Sequence, residues 1–153
     1  MTAQTETLSQ LQRYYALWKD CNAMYEEWAR AQGLSSNGIL ILYSFCDRDG
    51  TRTQKSISQQ WCIPKQTVNT ILKDFSAQGY VELSPMPGDR RNKLVRLTPA
   101  GQAFAQAVIG KMQRREMYVM ERMGPQAIAR MNDNLQTFIQ LFRQGGTQGN
   151  DEN

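Results

Sequence analysis

The chain has 153 residues, with 18 Lys and Arg against 14 Asp and Glu and no histidine, giving a net charge of +4 at neutral pH. That length suits one domain with a real core, or a small module carrying an extension. The missing histidine removes the commonest general base and zinc ligand, and with them most triad, metallohydrolase and proton-relay chemistry, so neither catalytic residues, nor a metal, nor a cofactor is expected.

The start, MTAQTETLSQ, has neither the basic nor the apolar region of a signal peptide, and the longest apolar run, Ile39 to Tyr43, is far too short to cross a bilayer. Cys21, Cys46 and Cys62 form no CxxC pair and their odd number argues for a reducing compartment, so a cytoplasmic protein with no membrane partner is expected. From about Leu8 to Gln32 the spacing predicts one long helix with two apolar series, Leu8/Leu11/Tyr15/Trp18/Tyr25 and Tyr14/Leu17/Cys21/Met24/Trp28. A face that wide suits contact with its own domain on one side and another subunit on the other. Gly33 ends the helix.

Ser35-Ser36-Asn37 supplies N-cap side chains for a second helix, from Gly38 to about Cys46, whose residues are almost all apolar and which should be central and buried. The stretch from Asp47 to Arg52, with Asp49-Gly50 inside it, reads as a turn that can lead into a short pairing strand. Thr53 then caps a short third helix through about Trp61, with Ile57 and Trp61 on one face, and Cys62-Ile63 is a tight connection to the next.

That next helix, from Pro64 to Gln78, places Val68, Ile71, Leu72 and Phe75 on one face. Its other face carries Lys65, Gln66, Thr67, Asn69, Thr70 and Lys73, donors, acceptors and cations with a reach suited to base edges and phosphates. Gly79 stops the helix. Tyr80 to Met86 alternates as a strand, Pro87-Gly88-Asp89 turns, Arg90-Arg91-Asn92-Lys93 follows, and Leu94 to Leu97 returns as the second strand of a hairpin. Charge concentrates here: residues 48–97 hold nine Lys and Arg against four Asp and Glu, whereas residues 1–47 hold three against five. Such a local excess is the footprint that phosphate binding requires.

The order of a helix, a two-stranded wing with an arginine tip and a Leu-Thr-Pro-Ala-Gly launching the following helix resembles the MarR family of winged helix-turn-helix regulators, most specifically over DRRNKLVRLTPAG. The resemblance implies a mainly α fold with a small β component (α+β), in which 35–97 is the DNA-binding region and 1–34 with 98–144 the helical dimerisation region. It also implies a homodimer on double-stranded DNA, with Arg91 entering the minor groove and Asp89 bracing it. Thr67, Asn69, Thr70 and Gln66 are the candidates for base edges, and Lys65, Lys73, Arg90 and Lys93 for phosphates.

Thr98-Pro99 caps and starts a helix running to about Met123, and Gly124-Pro125 breaks it before a last helix to about Phe142, with Ile128, Met131, Leu135, Phe138, Ile139 and Phe142 at helical spacing. The exposed face of this last helix needs a partner, for which the wide stripe of the first helix, in the same or a second copy, is the candidate. Residues 145–153 are Gly-rich, polar and acidic, and a disordered tail is expected.

The family resemblance further implies a repressor or activator whose DNA affinity changes with a small ligand or with thiol oxidation. Tyr14, Trp18, Tyr25, Trp28 and Tyr43 are the candidates to line a pocket for a small aromatic effector, although aromatic stripes at helical spacing more often belong to a core. Buried, inert thiols are likewise the default for the cysteines. Two alternatives stay open: a thiol-redox-sensing regulator, and a winged-helix module used only for protein contacts.

Overall fold

The computed structural model describes residues 2–46 and 51–148. Helix α1 (Ala3–Ala31) starts well before Leu8, because Thr2 caps it by accepting the Thr5 N–H on its hydroxyl at 3.3 Å. The first turn is polar, so it has no apolar stripe by which a sequence reading could find it. Helix α2 (Ser36–Tyr43) is capped by Ser35, whose Oγ accepts the Gly38 N–H at 3.1 Å. It closes sooner than Cys46, because the N–H groups of Phe45 and Cys46 turn back to the carbonyls of Leu42 and Tyr43, three residues earlier, and tighten the end into a turn. The turn expected around Asp49-Gly50 lies outside the described residues; strand β1 (Thr51–Thr53) follows it.

Helix α3 (Gln54–Trp61) starts with a capping box in which Thr53 and Ser56 satisfy each other's backbone N–H groups at 3.0 Å. Cys62 then takes a left-handed conformation, φ 53°, to turn the chain sharply. The buried Ser58 holds this turn: its hydroxyl donates to the Ile63 carbonyl at 2.6 Å while its own carbonyl accepts the Ile63 N–H. Helix α4 (Lys65–Ala77) follows, with Pro64 outside it as the N-cap rather than as its first residue. Val68, Leu72 and Phe75 are buried as their spacing requires, and Ile71 is half-buried at the edge of that face.

Strands β2 (Val81–Met86) and β3 (Asp89–Leu97) pair antiparallel, and β1 adds to the far side of β3, giving the order β1-β3-β2. The returning strand thus begins at Asp89, not at Leu94. The run Asp-Arg-Arg-Asn-Lys is polar on both faces, so alternation cannot reveal it as a strand. Helix α5 (Pro99–Met123) is capped by Thr98, whose Oγ1 accepts the Gly101 N–H at 3.0 Å and donates to the Gly79 carbonyl. Helix α6 (Pro125–Gln148) passes 142 and enters the stretch expected to be a disordered tail; residues 149–153 lie outside the described residues.

The chain divides into two compact units, Met1–Gly110 and Lys111–Asn153. The first has its core in Ile41, Leu42, Ile57, Val68, Leu72 and Val95, all fully buried, so α2, α3, α4 and β3 share one interior. Burying each such side chain is worth about 1.5–3 kcal/mol. Trp61 closes one side, its indole N–H donating to the buried Ser44 hydroxyl at 2.7 Å and its ring meeting Tyr43 edge-on. The second unit is the end of α5 and all of α6. Met131, Leu135, Phe138, Ile139 and Phe142 are exposed along α6, Phe142 to 75%. On α1, Leu8, Leu11, Tyr14, Tyr15, Leu17 and Trp18 are exposed too, and among its described residues only Ala29 is buried.

Candidate nucleic-acid interface

Two sequence features build the wing tip. Pro87-Gly88 makes the turn, with Gly88 at φ 82°, a conformation that only glycine adopts without strain. Pairing is then irregular: Pro85 lies opposite Lys93 but Met86 lies opposite Asp89, so Arg90, Arg91 and Asn92 bulge out of β3 against no partner. Asp89 fixes this bulge, since its Oδ1 accepts the backbone N–H groups of Arg91 at 3.2 Å and Asn92 at 3.3 Å. The carboxylate therefore braces the backbone that carries Arg91. The two side chains form no ion pair among the described residues, and Arg91 is exposed.

Between this tip and α4 lies an open cleft of about 650 Å³ lined by Gln54, Lys55, Lys65, Gln66, Asn69, Asp89, Arg91, Asn92 and Lys93. It brings together Lys65, Gln66 and Asn69 of the helix with Asp89, Arg91 and Lys93 of the wing. The other predicted residues are placed differently. Thr70 is exposed, but its hydroxyl donates to the Gln66 carbonyl at 3.0 Å within α4; Thr67 is half-buried, and Lys73 and Arg90 are exposed beyond the cleft's lining. Four cations against one carboxylate, already occupied by two backbone donors, make the cleft strongly electropositive.

Three lining residues, Gln54, Lys55 and Asn92, escape a reading of the sequence. Gln54 and Lys55 sit in the first turn of α3, and the pairing of Thr53 with Leu94, together with a hydrogen bond from the Lys55 N–H to Asn92 Oδ1, brings that turn to the wing. Gln54 then reaches α4, where its Nε2 donates to Asn69 Oδ1 at 2.9 Å and fixes that amide beside the cleft.

The five aromatic candidates do not gather in one place. Tyr14 and Trp28 are separated by about 21 Å along the axis of α1 at 1.5 Å per residue, which exceeds the width of a drug-sized pocket. Trp18 is 60% exposed, Tyr25 and Trp28 are half-buried, and Tyr43 is partnered by Trp61. The default of buried thiols does not hold: Cys21, Cys46 and Cys62 are all exposed, although partial shielding of Cys46 pushes its thiol pKa up. No helix among the described residues is long and apolar enough to cross a membrane.

The MarR family model matches residues 32–92. The chain is similar to NMB1585, a MarR family regulator from Neisseria meningitidis: 30% identity over 93% of this chain and 97% of that one, with a TM-score of 0.72. It is also similar to the HTH-type transcriptional repressor NicR of Pseudomonas putida, 31% identical over 87 residues, 57% of this chain. The chain spans about half that repressor's length, 54%. The Staphylococcus aureus MarR solved in complex with salicylate and kanamycin has the same fold at 18% identity, with a TM-score of 0.70 over 93% of this chain and 97% of that one.

Proposed function

The chain belongs to the MarR family of transcriptional regulators, which are not enzymes, and from that premise we propose that it is a sequence-specific double-stranded DNA-binding repressor, working as a homodimer on a near-palindromic operator and released by a small-molecule effector. The cleft between α4 and the wing carries the reading, because one face presents Lys55, Lys65, Arg91 and Lys93 for phosphates together with Gln66 and Asn69 for base edges. Phosphate contacts position such a module and base contacts specify its site. In this assignment Arg91 enters the minor groove beside the major groove that receives α4. Lys73 and Arg90 meet flanking phosphates, and Thr67 and Thr70 are secondary to Asn69 and Gln66.

Residues 35–97 then form the DNA-binding region, while 1–34 and 98–144 form the dimerisation region. The support for dimerisation is apolar surface: α1 and α6 each leave a stripe of large apolar side chains exposed, of a size that monomeric proteins rarely show to water. Two copies place two α4 helices about 10 base pairs apart, which is why the operator should be an inverted repeat. The effector reading is supported by the Staphylococcus aureus complex and by the half-buried Tyr25 and Trp28, three residues apart on one face of α1. The cytoplasm suits both the DNA and the unpaired thiols.

The test is selection of bound fragments from random duplexes, followed by fluorescence anisotropy on the selected site over a salt series. An inverted repeat is expected, with affinity falling by a power of at least about 4 in salt concentration if the lining cations meet phosphates. Salt-independent binding, or no selected sequence, overturns the proposal.

A further inference from the structure

Asn92 is placed differently from its wing neighbours. Its Oδ1 leaves the hairpin and accepts the backbone N–H of Lys55, 37 residues away in the first turn of α3, at 3.1 Å. That N–H is one of the orphan donors that every helix start leaves. Thr53 satisfies the N–H of Ser56 next to it, so the α3 terminus is capped twice, once from its own chain end and once from the wing. On the wing side, Asn92 Nδ2 approaches Met86 Sδ at 3.5 Å, and the Asn92 N–H is held by Asp89. The half-buried Asn92 therefore joins three things: the bulge, the last residue of β2 and the first helix of the helix-turn-helix.

Resting on the DNA-binding reading above, we infer that Asn92 is a positioning residue: it latches the wing to α3 and so fixes the distance between Arg91 and the base-reading face of α4. Arg91 is adjacent to Asn92 in a bulge with no strand partner, and the Asp89 carboxylate that braces its backbone belongs to the same hairpin, so neither contact sets the bulge relative to α3. Gln54, one residue before Lys55, is tied to Asn69 of α4. The path from minor-groove arginine to major-groove amide thus runs Arg91, Asn92, Lys55, Gln54, Asn69, and the Asn92 side chain is the one link in it between wing and helix. Without it, the wing hinges about its remaining strand pairs, and the arginine samples positions from which it cannot enter the groove while α4 is seated. That loss of preorganisation weakens binding even though Asn92 itself need touch no base.

A double-mutant cycle on the selected operator tests this, with native chain, Asn92→Ala, Arg91→Ala and the double variant compared by anisotropy. Asn92→Ala is expected to weaken binding roughly three- to ten-fold, in line with one lost hydrogen bond, and to have less than about a two-fold effect once Arg91 is already alanine. Amide hydrogen exchange at Lys55 reports the latch directly and should quicken in Asn92→Ala. A residue with a merely structural role changes exchange and melting temperature but leaves the two affinity costs additive. Additive costs, or a slowly exchanging Lys55 amide in Asn92→Ala, overturn the latch while leaving DNA binding intact. If the native chain binds no duplex, the DNA-binding reading falls first, and this inference falls with it.

Discussion

Glu26 Oε2 accepts the backbone N–H of Ser36 at 2.9 Å, so a carboxylate in the last third of α1 caps the start of α2 across the intervening turn. Arg30, one turn further along α1, pairs with the other oxygen at 3.4 Å. The hydrogen bonds from Ser36, reinforced by Arg30, hold the Glu26 carboxyl below its ordinary pKa. A carboxyl whose pKa is lower in the folded state stabilises the fold fully above its unfolded pKa and loses that contribution as pH falls through the folded-state value. Glu26→Gln should therefore be less stable than the native chain at pH 7, and the difference should shrink below about pH 4. Urea melts at pH 7 and pH 3 measure it; a gap that widens on acidification would contradict the assignment.

The Leu-Thr-Pro-Ala-Gly segment has a steric reason for its glycine. A Cβ on Gly101 would sit 1.8 Å from the Tyr80 carbonyl oxygen, a backbone atom that cannot move aside like a side-chain tip. Thr98 N–H donates to that same carbonyl, and the Tyr80 ring stacks on Phe104 at 4.3 Å, so the junction is fixed from both sides. Gly101→Ala is expected to lose about 2 kcal/mol or more, in the range of an overpacked core. Calorimetric melting checks this, and an unchanged melting temperature would mean that α5 can shift without cost.

The turn between α3 and α4 offers a smaller, opposite pair of effects. Removing the buried Ser58 hydroxyl leaves the Ile63 carbonyl without its 2.6 Å donor, so Ser58→Ala should cost about 1–3 kcal/mol. Cys62, at φ 53°, has a conformation that glycine takes without a Cβ penalty, so Cys62→Gly should be tolerated or slightly stabilising. Denaturant midpoints for both variants decide it; a tolerated Ser58→Ala would remove the side chain from any role in the turn.

At the DNA face the same geometry separates residues of similar chemistry. Arg91→Ala should weaken operator binding by about 1–3 kcal/mol, the size of a good groove contact. Thr70→Ala should cost less than about 0.5 kcal/mol, because its hydroxyl is already donated to Gln66. Equal losses measured by anisotropy would show that the Thr70 hydroxyl turns outward on the DNA.

Leu135 and Phe138 of α6 are both exposed, and Phe138 stacks on Phe142, which is exposed too, so the chain with both replaced by glutamate should still fold. If α6 belongs to the dimer face, light scattering should find the double variant monomeric at concentrations where the native chain is dimeric. A variant that remains dimeric takes α6 out of that interface.

The sequence by itself determined which segments are helical and which face of each is apolar, because periodicity and caps are local. Val68, Leu72 and Phe75 point inward at the spacing their positions dictate, and Ser35, Thr53 and Thr98 cap the helices they precede. It also marked the cationic hairpin, since Pro87-Gly88 and Arg90-Arg91 are adjacent in the chain. What only the tertiary structure decided is which polar groups meet. Asp89 holds backbone N–H groups rather than the Arg91 guanidinium, Thr70 spends its hydroxyl on its own helix, and Asn92 reaches Lys55. The first two are contacts within a turn and within one helix; the third follows from a strand register and a bulge that bring residues 37 apart in the chain to 3.1 Å, and polar stretches carry no periodic signal of where such pairings fall.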